Sequence, residues 1–301
     1  MSLIIKDPLK IVIIGYTNVG KTWYFGSIVS ANYKTGPEGF TLVSKNPLAK
    51  SKVEETSEVL YSNNQQQKVE VFSTTGIDPS KMTLKKGGHP IVDISILDTE
   101  GQAIEKDRNP ETGKKILNQI KNCDGLILAL KVPINNDEFY YTKKQLLQLI
   151  NLTGDLLKIK TVPVCCVFNQ IDRLNVPTDK SIEERNTFLL NELKQNSFLS
   201  VLVREFNLFS VTARKAFPNK LFLSTSIGFD NTSELKQPFG GRAAFFWLIA
   251  EIFKSKSNKG LQKLYKNSKF SKLSQQLYKD INYLNKVGES VGIKWKEQKV
   301  D

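Results

Sequence analysis

A chain of 301 residues, 40% apolar and 24% charged, has the make-up of a soluble globular protein and room for one large domain with insertions or an appendage. One histidine and three cysteines exclude a disulfide framework and every recognised zinc spacing, and they suit a reduced, cytoplasmic setting. The net charge of +13 points to an anionic partner, and residues 255–301, with eleven lysines against four acids, carry more than half of it.

The opening residues, "MSLIIKDP", have no basic stretch leading into a long apolar run, so no secretory signal is expected. "KIVIIG" at 10–15 is a short, continuous apolar run ended by glycine, the pattern of a buried parallel strand. "KTWYFGSIVSA" follows with helical spacing. Residues 31–72 exceed a minimal strand–helix repeat and contain "YSNNQQQK", a polar loop within an insertion. "KMTL" reads as a further strand, and "KKGGHP" reads as a hairpin turn that accounts for His89 without a metal.

The buried-strand pattern returns in "IVDISILD" at 91–98, "GLILALKV" at 125–132 and "VPVCCVFN" at 162–169. Helical "ETGKKILNQIKN" and "YTKKQLLQLINLTGDLL" separate them. Cys165 and Cys166, adjacent on the last of these strands, should point to opposite faces. Residues 178–206 form a second insertion, an amphipathic helix or a pair of them. "KLFLSTS" at 220–226 supplies a fifth strand and "GRAAFFWLIAEIFK" the next helix, whose apolar run is too short to cross a membrane and carries Glu251.

This alternation predicts a doubly wound, mostly parallel α/β sheet with ligand loops at the C-terminal ends of its strands. Beyond residue 255, Lys256, Lys259, Lys263, Lys266 and Lys269 recur at helical spacing as a basic stripe. Phe270, Leu273, Leu277, Ile281 and Leu284 then form an apolar face. The organisation expected is a domain over residues 1–255 and a basic helical extension over 256–301.

Three short motifs carry chemistry. Gly15-Tyr16-Thr17-Asn18-Val19-Gly20-Lys21-Thr22 fits G-x-x-x-x-G-K-[ST] between a strand and a helix. Successive backbone N–H groups there, with the helix N-terminus, can wrap a phosphate. Lys21 would reach the β- and γ-phosphates and the Thr22 hydroxyl would bind Mg²⁺. Val19 and Trp23 belong to the same stretch.

Asp98-Thr99-Glu100-Gly101 ends the strand "IVDISIL". Its carboxylate would hold Mg²⁺ across from Thr22, and the N–H of Gly101 would face the γ-phosphate with no side chain in the way. Asn169-Gln170-Ile171-Asp172 ends a later strand. An ionised Asp172 can accept both neighbouring N–H donors on one edge of guanine, whereas adenine presents the opposite pattern there. Asn169 would brace the phosphate loop and the base.

In this order the motifs resemble the TRAFAC class of Ras-like P-loop GTPases, with "GYTNVGKT", "DTEG" and "NQID" standing for the first, third and fourth motifs over about residues 8–253. "STSIG" at 224–228 is similar to the fifth motif, which would put Ser226 and Ile227 at the guanine carbonyl. "FLSTSIGF" with "QPFGGRAAFFWLI" also resembles the close of the double-GTPase proteins of prokaryotic conflict systems. The resemblance implies a GTPase fold, GTP and GDP as ligands, Mg²⁺, and hydrolysis to GDP and phosphate that is slow without an activator. Gln102 falls where such proteins orient the attacking water.

Several residues depart from the family's pattern. Gln170 stands where members usually have a lysine whose stem covers the base, and Thr17 stands where Ras-type proteins have a glycine that admits an arginine finger. Asn18 matches members that bind K⁺ near the phosphates, but it fits equally a residue that bonds switch backbone. The switch threonine, which would join Thr22 and Asp98 at Mg²⁺, is Thr75 or its neighbour Thr74, with Thr83 as the alternative.

The function expected is a GTP-binding and GTP-hydrolysing switch that acts on a protein effector or regulator through its switch loops. The alternative is an RNA-associated or ribosome-assembly GTPase that uses the basic tail on RNA or another acidic surface, with Tyr265, Phe270, Tyr278 and Tyr283 stacking on bases. A module that binds nucleotide without turnover is the third reading, disfavoured by Gln102. The sequence does not speak to oligomeric state.

Overall fold

A computed structural model describes residues 5–29, 38–47, 50, 79–99, 118–177, 181–195, 197–212, 217–225, 238–258, 264–287 and 290–293. Its centre is an eight-stranded sheet in the order β2-β3-β4-β1-β5-β6-β7-β8. The strands are β1 (Leu9–Ile14), β2 (Phe40–Ser44), β3 (Ser80–Lys86), β4 (His89–Asp98), β5 (Gly125–Lys131), β6 (Val164–Asn169), β7 (Asn219–Leu223) and β8 (Gly292–Ile293).

The run β4-β1-β5-β6-β7 is parallel, while β2, β3 and β8 join antiparallel at the edges. The four central apolar runs became β1, β4, β5 and β6, because a strand covered on both faces has no solvent side to alternate with. Cys165 and Cys166 show this directly, since both are fully buried although they point to opposite faces. Burial pushes both thiols up, so neither is a reactive thiolate.

Helices cover both faces. Helix α1 (Lys21–Val29) and helix α5 (Gly241–Asn258) pack together on one side of the sheet. Helix α2 (Asn136–Ile159) lies on β5, and α4 (Phe198–Thr212) packs against α2 and against α3 (Ile182–Lys194). The second insertion is therefore a helix pair. Helix α3 starts with a capping box between Ser181 and Glu184, which satisfies two of its loose backbone donors.

Helix α6 (Leu264–Lys286) lies along α5. Leu273, Leu277, Ile281 and Leu284 are buried there as the sequence pattern required, with Phe270 half-buried against Phe253. Helix α5 continues through residue 255 to Asn258, and the segment beyond it also contributes β8, so the extension is not helical throughout. The polar stretch "YSNNQQQK" lies outside the described residues.

The strand order reverses at β1, where the chain first builds outward to β4 and then returns to start β5 on the other side. In an open parallel sheet, such a switch point leaves a crevice beyond the strand's C-terminal end. The first glycine-bracketed loop opens into that crevice.

Candidate functional site

Residues 15–20 join β1 directly to α1, and two backbone features force the shape of this loop. A Cβ on Gly15 would stand 2.5 Å from the carbonyl oxygen of Ala129 on β5, so no side chain fits there. Asn18 and Gly20 adopt positive φ, 63° and 81°, which turn successive amides inward before the helix begins. Helix α1 opens at Lys21, so its N-terminal end borders the loop.

Lys21 is buried, and its Nζ donates to Gly15 O and Tyr16 O, each at 2.7 Å. The ammonium is thus held against the loop's own carbonyls, within reach of an anion seated in the loop. Thr22 and Trp23 are half-buried, Val19 is buried, and Thr17 and Asn18 are exposed. Tyr16 is buried, and its hydroxyl bonds Gln148 of α2, a tie that the motif alone does not disclose.

The fourth-motif loop folds onto this cradle from the side of β6. Asn169 Nδ2 donates to Val19 O at 3.1 Å and Gln170 Nε2 donates to Asn18 O at 3.0 Å. Asn169 thus ties the loop after β1 to the C-terminal end of β6. Its Oδ1 is buried with no hydrogen-bond partner among the described residues, an arrangement that is costly unless a ligand donor meets it.

Asp172 sits two residues beyond Gln170 in a 3-10 turn, Ile171–Arg173. Its Oδ1 accepts from the Thr225 hydroxyl at 2.6 Å, and Ile171 N donates to Ser224 O at 3.3 Å. The two loops after β6 and β7 are joined in this way. Thr225 is a site residue that the sequence reading passed over, although it directly precedes Ser226.

Asp98 ends β4 opposite Ile13, two residues short of Gly15, so the strand delivers it to the same end of the sheet. Thr99 follows, buried, with both its N–H and its hydroxyl donating to Ile13 O at 3.2 and 2.9 Å. Of Asp98 only the backbone is described. Gly101, Gln102, Thr74, Thr75, Ser226 and Ile227 lie outside the described residues.

Thr83 stands elsewhere. It pairs with Asp93 in the middle of the β3–β4 ladder, and its hydroxyl donates to Asp93 Oδ1 at 2.8 Å. Asp93 lies five residues before Asp98, about 16 Å along an extended strand. By contrast β3 begins at Ser80 opposite Ile96, at the site's end of the sheet.

A parallel sheet with its switch point at β1, and a glycine-bracketed Lys-Thr loop between β1 and α1, define a fold of the P-loop NTPase type. No family model matches the chain, and no curated protein matches it. Among solved structures, the chain is similar to the Arl6 BBS3 small GTPase from Trypanosoma brucei, with 14% identity, 82% of this chain and 99% of that one covered, and a TM-score of 0.41. It is also similar to the signal recognition particle receptor SRb-GTP/SRX complex from Chaetomium thermophilum, with 14% identity, 76% and 96% coverage, and a TM-score of 0.38. The class rests on the chain's own strand order and loop.

Proposed function

We propose that the protein binds guanine nucleotide and hydrolyses GTP as a switch. One observation supports this above the others: the phosphate loop and the fourth-motif loop are bonded to each other through Asn169 and Gln170, with the Asn169 Oδ1 buried without a partner among the described residues and Asp172, in the same loop, bonded by Thr225. A phosphate site and a base-reading carboxylate thus share one crevice. The ionised Asp172 accepts the N1–H and 2-amino protons of guanine, and adenine leaves it without a donor.

In this reading, Lys21 leaves its carbonyl partners for the β- and γ-phosphates, and the loop amides with the α1 N-terminus take the remaining charge. Thr22 and Asp98 offer a hydroxyl and a carboxylate at one end of the sheet, hard oxygen donors of the kind Mg²⁺ prefers, and the metal would neutralise phosphate charge there. Gln102 orients the attacking water. Thr75, or Thr74, is favoured over Thr83 as the switch threonine because β3 is entered from the site's end, whereas Thr83 is bonded into the sheet. Ser226 and Ile227 follow Thr225 and would meet the guanine carbonyl; Asn18, exposed on the loop, is the candidate for K⁺.

The RNA reading has less support. Phe270 packs against Phe253, and Tyr278 donates its hydroxyl to Glu251, so both rings already have partners within the fold. Lys256 pairs with Asp124 and Lys279 with Glu38. The partner of the switch is proposed only as a protein that reads the loops near residues 70–80 and 99–110.

The test is a displacement titration with fluorescent GDP on the full chain, followed by phosphate release from GTP. GTP and GDP should compete and ATP should not, and Lys21→Ala should abolish binding. Equal competition by ATP, or full binding by Lys21→Ala, overturns the reading.

A further inference from the structure

Asp172 sits in a turn that cannot hold itself. Ile171–Arg173 is a single 3-10 turn entered through Gln170 at φ 64°, and one such turn has too few backbone bonds to fix its own direction. Within it, Arg173 N reaches Gln170 O at 3.1 Å and Leu174 N reaches Ile171 O at 3.0 Å. What fixes the turn comes from outside: the loop after β7 bonds Ile171 N and Asp172 Oδ1 on one side, and Arg173 is held on the other.

Arg173 grips Glu138 with its whole fork. Nη1 donates to Glu138 Oε2 at 3.0 Å and Nη2 to Oε1 at 2.7 Å, while Nη1 also reaches Val132 O at 3.2 Å. Bidentate pairing sets the guanidinium plane as well as its distance. Glu138 is itself held fast. It accepts from Lys131 Nζ at 3.0 Å and from Ile134 N at 3.2 Å, and its own N–H donates to Asn135 Oδ1 at 2.9 Å at the start of α2.

Hydrogen bonding from Arg173, followed by that from Lys131, brings the Glu138 carboxyl down to about 2, so it stays charged at any working pH. Lys131 lies opposite Asn169 in the ladder, and Val132 N donates to Asn169 O at 3.0 Å. The same end of β5 therefore supports both the Asn169 backbone and the Glu138–Arg173 pair.

We propose that Glu138 and Arg173 are positioning residues that aim Asp172 and so set how strongly the site prefers guanine over a base lacking the 2-amino group. The proposal rests on Asp172 being the base-reading carboxylate. Thr225 fixes one oxygen of Asp172 from the β7 side, and Arg173 fixes the turn from the β5 side. A carboxylate held from both sides keeps two acceptors in line with two donors; held from one side only, it keeps one.

The test compares GDP with IDP, which retains N1–H but lacks the 2-amino group, by titration of the full chain. Wild type should prefer GDP. Glu138→Gln and Arg173→Lys should each reduce that preference roughly tenfold, the scale of one charged hydrogen bond, with little change in IDP affinity. Arg173→Lys keeps the charge and loses only the fork, and it carries the test should Glu138→Gln not fold. A lowered melting temperature with an unchanged GDP-to-IDP ratio would mean that the pair only stabilises the fold, and it overturns the proposal. A wild-type ratio near one that Asp172→Asn leaves unaltered removes the base reading as well, so the two failures are distinct.

Discussion

At the scale of single residues, the site is built from groups whose alternatives the structure makes costly. Gly15 has no room for a Cβ, Lys21 is buried against carbonyls, and Asn169 keeps one buried oxygen without a donor among the described residues. In the proposed function, selectivity turns on Asp172. Asp172→Asn exchanges one acceptor oxygen for a donor, so guanine should lose at least one bond and xanthine, with an oxygen at position 2, should gain one. GDP affinity should fall by roughly a hundredfold while XDP affinity rises, measured by competition against fluorescent GDP; an unchanged order of affinities removes the role of Asp172. Gln170 offers a milder change. Its Nε2 already bonds Asn18 O, and Gln170→Lys restores a longer stem over the base with a donor at its end. GDP should bind several-fold more tightly in that variant, and weaker binding would show that the Gln170–Asn18 bond matters more than cover over the ring.

At the scale of elements, helix α2 does more than cover the sheet. Its first turn carries Glu138, which holds the loop after β6 through Arg173, and its fourth turn carries Gln148, which holds the loop after β1 through Tyr16. Tyr16→Phe removes the second link but leaves the Tyr16 carbonyl for Lys21. GDP should then bind roughly fivefold more weakly, the value of one ordinary hydrogen bond, with the melting temperature nearly unchanged. Equal binding by the two forms in a titration would assign the bond to packing alone. None of these ties could be read in the sequence, because their partners lie 35, 53 and 132 residues apart and a motif registers only neighbours. The loops themselves were legible for the opposite reason: each is contiguous, and each follows an apolar run that only a doubly covered strand requires. β2 and β8 were not anticipated. A five-residue and a two-residue edge strand show too little alternation to distinguish them from loop, and only their neighbours make them strands.

At the scale of the whole molecule, the segment after α5 closes the sheet at both ends. Gly292 and Ile293 pair with β7 at one edge, while α6 reaches the segment ahead of β2 at the other. There Asp280, fully buried, accepts from Glu38 N at 2.9 Å. The Glu38 carboxylate meets Lys86 of β3 at 2.8 Å and Lys279 of α6 at 3.4 Å, and it is held below its ordinary range chiefly by Lys86. Arg242, at the start of α5, adds a favourable charge near Asp280, but burial outweighs it and raises the Asp280 carboxyl above its ordinary 3.8. The sign of the pH effect follows. An acid whose folded value lies above its unfolded value binds its proton more tightly when folded, so it lowers stability at neutral pH and returns that stability as pH falls toward 3.8. Asp280→Asn keeps the acceptor for Glu38 N, removes the buried charge and places an amide where Oδ2 now lacks a partner among the described residues. The variant should melt a few degrees above wild type at pH 7, with the difference shrinking as pH approaches 4. A variant that melts well below wild type at pH 7 would show instead that Arg242 depends on the charge of Asp280, and that this charge, beyond the backbone hydrogen bonds to Asp280 and the Lys279–Glu38 pair, fastens α6 to the β2 edge.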